Sequence, residues 1–350
     1  MNKSRSLKIP NTSNTKNNIG NPTSKKRKSN AKESNANKHK SKRLEKEKPQ
    51  IQKPFLKWVG DKTQIMDRII SKFPTQMNNY HELFLGGGSV LLALMSLRKQ
   101  GRIKIKNKIY AYDFNKKLIQ VYKHIQTHNN QLFAHIQHYI NSCHTINGTV
   151  VIRNPKNAME AKTSKESYYY WMRHKFNAIT ENSVERSALF MVLNKTCFRG
   201  LYREGPNGFN VSYGHSKKTP TIVSKEELDR ISDLIQDVEF IHSDFQESIK
   251  AVQSGDFVYL DPPYVPLNPN TFVGYVRKGF GTKRHHELFD KIQQLEKGIQ
   301  FVLSNSDTPM VRNTFQKNYK MEIIVARRSI NSKKPQSTAS EVIVWNFYYM

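Results

Sequence analysis

Cysteine is scarce in this chain: Cys143 and Cys197 are the only two among 350 residues. Two such residues make no disulfide framework, and no clustered Cys/His spacing of a structural zinc site is present, so metal-independent chemistry is expected. Long apolar runs are missing too. No stretch approaches the roughly 18 to 20 uninterrupted apolar residues of a membrane-spanning helix, and the N-terminus lacks the apolar middle segment of a signal peptide. An intracellular protein follows, cytoplasmic or nuclear, with no membrane partner. Acidic residues are the third shortage: 28 Asp and Glu stand against 57 Lys and Arg, a formal charge of +29. An imbalance of that size points to a polyanion, nucleic acid ahead of anionic membrane.

Residues 1–50 contain no Phe, Trp, Tyr or Cys and hold 15 Lys and Arg against 3 Glu, a net +12. Such a segment cannot bury enough apolar surface to offset the entropy of ordering, and a disordered basic tail is expected. Its runs Lys25 to Lys28 and Lys38 to Lys48 read either as nuclear-targeting or phosphate-binding patches or as a plain solvated tail. The remaining 51–350 keep +17, so the charge argument survives removal of the tail.

From residue 51 short β-type runs alternate with longer amphipathic stretches, the pattern of an α/β fold with a mostly parallel sheet. Strands are expected at Tyr80–Phe84, Lys108–Tyr112, Val238–His242, Phe257–Leu260, Gln300–Ser304, Met321–Val325 and Glu341–Phe347. Between Asp113 and Val238 lie about 120 residues with helical spacing over Lys165–Asn177 and Ser183–Leu193. They read as a second domain, inserted or appended.

Asp261-Pro262-Pro263-Tyr264 directly follows the apolar run Phe257–Leu260. Neither proline offers an N–H to a ladder, so the strand must stop and leave a stiff loop at its carboxyl end, where open α/β sheets place their ligands. The residue types suit methylation of an amine on an aromatic base. Such an amine is a poor nucleophile, and two acceptors aimed at its protons, the Asp261 carboxylate and the Pro262 carbonyl, would draw it toward tetrahedral geometry. Tyr264 offers a flat face for stacking.

Phe84-Leu85-Gly86-Gly87-Gly88-Ser89 joins an expected strand to an expected helix over Val90–Leu97, and reads either as a ligand-cradling turn or as a simple helix entry. Asp113, about 25 residues on at the end of the next strand, is placed to bind ribose hydroxyls or to cap a helix; paired with the glycine turn it favours ligand binding. Asp244 also follows a strand, as amine acceptor or cap. The segment Lys57-Trp58-Val59-Gly60-Asp61-Lys62 is by composition as fit for stacking on a base as for core and surface.

Taken in order, these elements resemble the Dam-type, or D12 class, adenine-N6 DNA methyltransferases of the alpha arrangement. The resemblance runs from Pro54 to Phe347 and adds Asn194-Lys195-Thr196-Cys197-Phe198-Arg199-Gly200, Gly208-Phe209-Asn210-Val211 and Ser304-Asn305-Ser306-Asp307-Thr308. It implies a Rossmann-like methyltransferase sheet, mostly parallel with an antiparallel edge, plus a smaller, mainly helical target-recognition domain with a β-hairpin. Residues 51–115 and 236–350 would bind S-adenosylmethionine, and 116–235 would contact double-stranded DNA. Trp58, Lys62, Phe84, Gly86, Gly88, Asp113, Asp244 and Asp261 would serve the cofactor, and Asp261, Pro262, Pro263 and Tyr264 the catalysis. Arg199, Arg203, Asn207 and Asn210, around a turn at Pro206-Asn207-Gly208, would contact DNA.

The implied activity is transfer of a methyl group to N6 of an adenine flipped out of a short palindrome, within restriction-modification where a cognate endonuclease is a partner. A monomer or weak dimer is expected. Leu83, Asp61 and Ser212 depart from the family's usual Pro, Gly and Pro, and an acid at 61 near the cofactor would weaken its binding. Two other readings remain: methylation of another planar amine, in RNA or a protein glutamine, and a catalytically silent DNA-binding protein.

Overall fold

The computed structural model describes residues 49–215, 220–266, 280–327 and 338–347. The expected tail, and the basic runs within it, lie outside the described residues. Seven strands build the main sheet: β1 Tyr80–Glu82, β2 Ile109–Asp113, β3 Val238–His242, β4 Phe257–Leu260, β5 Gln300–Ser306, β6 Lys320–Arg327 and β7 Thr338–Trp345. Their order is β6-β7-β5-β4-β1-β2-β3, with parallel pairing from β5 through β3. β7 runs antiparallel to both β5 and β6. The antiparallel strand thus lies one place in from the edge, and β6 is outermost.

All four residues of β4 are buried, as a continuous apolar run in the middle of a parallel sheet requires. β1 is equally buried although it reads Tyr-His-Glu. Its polar groups are satisfied inside the sheet: the His81 ring contacts Asp256 Oδ2 at 3.1 Å, and Tyr80 donates to Glu82 at 2.7 Å. Such pairing is what makes burial of polar side chains tolerable.

Seven helices matter for the site: α1 Ser89–Lys99, α2 Lys116–His144, α3 Lys165–Ala178, α4 Val184–Thr196, α5 Lys225–Leu234, α6 Thr282–Gln293 and α7 Pro309–Phe315. Side chains at Asn115, Ser164, Ser183 and Ser224 cap α2, α3, α4 and α5. α1 is buried from Ser89 through Leu97 and has no side-chain cap; it starts from Gly88 at φ 67°. A Cβ at Gly88 would collide with the Tyr122 hydroxyl, so glycine is required there by backbone and neighbour together.

One face of the sheet packs with α1, α2, α3 and α4 into a single core that runs from Phe55 through Leu91, Leu118, Tyr169 and Leu189 to Ile343. The opposite face carries a second core with Leu288, Phe289, Val311 and Phe315 from α6 and α7. Residues 116–235 therefore share the sheet's core instead of closing a separate one.

Candidate active site

Between β1 and β4 the strand order reverses direction, and the carboxyl ends on either side of such a reversal are where open α/β sheets bind their ligands. The expected residues of the glycine turn after β1, Asp113 at the end of β2, Asp244 after β3 and Asp261 after β4 come to that end because each follows or ends a parallel strand, and Glu82, the last residue of β1, joins them.

Asp261, Pro263 and Tyr264 are held by side chains from three separate parts of the chain. Lys62 Nζ lies 2.8 Å from Asp261 Oδ2 and also donates to the Gly60 carbonyl. The same ammonium sits 4.7 Å from the Tyr264 ring centre. His285 of α6 contacts the Pro263 carbonyl at 2.9 Å, and Tyr264 donates to Glu341 of β7 at 2.7 Å. Past the prolines, Asn305 Oδ1 accepts from Val265 N at 3.1 Å and Ser306 Oγ donates to Val265 O at 2.5 Å. Side chains of β5 thereby replace the ladder that Pro262 and Pro263 cannot make.

The other carboxylate oxygen, Asp261 Oδ1, is buried and has no hydrogen-bond partner among the described residues. A buried acceptor in that state costs about 1–3 kcal/mol unless a ligand satisfies it. Burial pushes the Asp261 pKa up to about 6, with Lys62 pulling it down and Glu341 and Asp61 opposing that pull. Burial also raises the pKa of Asp113, against the pull of the hydrogen bonds its oxygens accept from Asn115 N at 2.8 Å and Gly86 N at 2.9 Å. Asn115, and not Asp113, caps α2. Asp113 instead ties the glycine turn to β2.

Sequence reasoning passed over Glu82. It is 2% exposed, and burial raises its pKa to about 8, countered by the Tyr80 hydrogen bond and reinforced by Asp261 and Asp113. An acid raised in the fold stabilises it below its unfolded pKa and loses that contribution as pH rises through the folded one. Glu82→Gln is therefore expected to lessen the drop in melting temperature between pH 7 and pH 9. An equal drop in the variant and the parent would remove Glu82 from that role.

Trp58 lies on the glycine turn, where a Cβ at Gly87 would come 2.7 Å from it and one at Gly86 3.0 Å. Its ring stacks on Tyr202 at 5.8 Å and Phe190 at 6.4 Å. Phe84 joins Phe245 and Phe280 in an aromatic cluster at 5.9 and 6.0 Å. Asp244 caps the short helix Phe245–Ser248 and pairs with Arg284 at 2.5 Å, so both of its oxygens are engaged. Asp61, exposed, accepts from Thr63 N at 2.8 Å, which turns its charge to capping the next turn.

The hairpin stands where expected, Glu204–Gly205 against Gly208–Phe209 across Pro206 and Asn207. Arg203 Nε donates to Asn210 Oδ1 at 2.7 Å, so these two candidates brace each other on the surface. Asn177 of α3, unremarked in the sequence, holds the hairpin by accepting from Phe209 N and donating to Phe209 O, both at 2.9 Å. Also missed was Phe198, 44% exposed, with the Arg199 guanidinium 4.9 Å from its ring centre. The available signal was an aromatic directly before Arg199.

The family model described as D12 class N6 adenine-specific DNA methyltransferase matches residues 58–330. The chain belongs to that family. It is 31% identical over 306 residues to a type II methyltransferase, M1.LlaDCHI, of Lactococcus lactis subsp. cremoris, covering 84% of this chain and 95% of the relative. It is 32% identical over 307 residues to the type II methyltransferase M.MjaIII of Methanocaldococcus jannaschii, covering 84% and 99%. A DNA adenine methylase of Haemophilus influenzae matches at 33% over 294 residues, covering 83% and 91%. The protein is an adenine-specific DNA methyltransferase that uses S-adenosylmethionine, which supplies a methyl group on a positively charged sulfur.

The residues present fit that donor. Asp113 and Asp261 both act electrostatically on Glu82, and of the three only Asp261 has a lysine partner, so the site keeps an acidic balance suited to a cation. The uncapped start of α1 leaves backbone N–H groups for a carboxylate. Among the described residues no helix is long and apolar enough to cross a membrane.

Proposed function

We propose that the 261–264 loop receives an adenine flipped out of the duplex and that Asp261 and the Pro262 carbonyl accept from its N6 amine. The observation that carries this reading is the buried, unpartnered Asp261 Oδ1, whose sister oxygen is already committed to Lys62. Accepting from the amine localises its lone pair, and the ring of Tyr264, fixed by Glu341 and Lys62, stacks on the base. No group on this chain needs to form a bond to the base. The protein's contribution is positioning and electrostatic.

Trp58, Lys62, Phe84, Gly86, Gly88, Asp113, Asp244 and Asp261 line the cofactor side of the site in this reading. Asp113 holds ribose hydroxyls with its free lone pairs, and the start of α1 takes the donor's carboxylate. With both oxygens engaged, Asp244 acts more through its aromatic and Arg284 neighbours than as a direct acceptor.

Residues 116–235 serve DNA recognition, with Arg199, Arg203, Asn207 and Asn210 on base edges or phosphates and Phe198 stacking against bases. The site is a short palindrome, and by analogy with the type II relatives a cognate endonuclease is a partner. Arg199→Ala is expected to weaken DNA binding by about 1–3 kcal/mol, read by fluorescence anisotropy. Sequencing methylated adenines in DNA from cells expressing the protein tests the whole reading. A single short symmetric motif supports it, and methylation without sequence context refutes it.

A further inference from the structure

Asn194, in the last turn of α4, is 2% exposed and divides its amide between two segments that serve different ligands. Its Oδ1 accepts from Lys57 N at 2.9 Å, while its Nδ2 donates to Lys57 O at 2.8 Å and to Gly200 O at 3.3 Å. One side chain thus binds both backbone groups of Lys57, as a neighbouring strand would. Lys57 leads into Trp58, which lies on the glycine turn, and on to Lys62, which holds Asp261. Gly200 closes the turn 198–200, in which Arg199 and Gly200 are both left-handed, at φ 58° and 66°.

A left-handed non-glycine residue is strained and persists where its surroundings over-determine it. The turn therefore has a relaxed alternative, and the Asn194 bond to Gly200 is among the contacts that disfavour it. A Cβ at Gly200 would collide with the Lys57 side chain, so the two segments are also in direct apposition. Two further links join the same parts. Trp58 stacks on Tyr202, and Tyr202 donates to Glu204 of the hairpin, which pairs with Lys117 just beyond Asn115.

We propose that Asn194 couples the two binding sites: ordering the segment 57–62 around the methyl donor holds, through the Asn194 amide, the left-handed turn that presents Phe198 and Arg199 to DNA. By linkage, DNA seated on that turn tightens donor binding by the same factor. Asn194 is a positioning residue here, since it touches neither ligand. The inference rests on the reading of 198–200 as a DNA contact.

The test measures dissociation constants of the full chain for a duplex carrying its methylation site, with and without saturating S-adenosylhomocysteine. The parent is expected to bind DNA roughly 10-fold more tightly with that compound, a typical coupling. Asn194→Asp keeps the acceptor for Lys57 N and loses both donations. Its ratio is expected to fall below about 2, with S-adenosylhomocysteine affinity in the absence of DNA changed by less than ~3-fold. A merely structural role would lower the folded fraction and leave the ratio alone. Should the aspartate variant not fold, Asn194→Ser, whose hydroxyl reaches one segment, is expected to give an intermediate ratio. A parent ratio of one, or an unchanged ratio in the folded variant, overturns the coupling. If Arg199→Ala leaves DNA affinity intact, the turn's assignment as a DNA contact fails instead, whatever the ratio.

Discussion

Asp261→Ala is expected to lower transfer of labelled methyl groups to DNA by about 100- to 1000-fold, the scale set by loss of one preorganised group aimed at developing charge. The effect is large because the adenine amine is intrinsically unreactive and Asp261 is the one carboxylate of the 261–264 loop. The fold should survive. Lys62 loses its carboxylate but keeps the Gly60 carbonyl and the Tyr264 ring, so a reduced melting temperature with an unchanged far-ultraviolet circular dichroism spectrum is expected. Turnover near that of the parent would end the assignment of Asp261 to catalysis.

Lys62→Met should make activity steeply pH-dependent. In the parent the acceptor must be ionised, and a pKa of about 6 places the acidic limb of kcat/KM near that value, with activity lost as pH falls through it. Lys62 is the largest influence pulling that pKa down, so removing it moves the limb upward. Each unit of movement costs about tenfold at a pH below the limb. The variant should be severely impaired at pH 6.5 and recover substantially by pH 8.5. Stability runs the opposite way: because the folded pKa exceeds the unfolded value of about 3.9, burial of Asp261 stabilises the fold at low pH, and that contribution is lost as pH rises through about 6. A flat reduction of activity across pH would show that Lys62 acts by shape and not by charge.

The central strands were legible because burial on both faces leaves a continuous apolar run, as in β4, which the sequence reading bounded as observed. The helix start at Ser183 follows from a side chain that competes locally for backbone N–H groups, whereas at the end of β2 Asp113 stood out and Asn115, which caps α2, did not. The ends of β5 and β7 were less legible. Ser306 and Thr338 are polar, yet both belong to strands because a neighbouring ladder continues past the apolar stretch.

The candidate site divides along the same line. Asp261, Pro262, Pro263 and Tyr264 could be picked out because their chemistry lies in four consecutive residues. Glu82 could not, since an isolated acid beside a histidine reads as surface until the strands on either side of β1 bury it. Asn194 stood in a motif of the resemblance but without a role, and Asn177 was silent, because their partners Lys57 and Phe209 are 137 and 32 positions away. Asp244 shows the converse: legible as an acid after a strand, it is claimed by Arg284, 40 residues on.

From its sequence alone this protein was determined to be a basic α/β protein with a proline-stiffened acidic loop after one strand and a glycine turn after another, since those features depend on local backbone chemistry. Tertiary structure decided the rest. Which acid keeps an unsatisfied oxygen, which lysine neutralises its partner and which asparagine joins the donor's segment to the recognition turn all depend on contacts between distant residues, and their energetics are set by burial that no local pattern records.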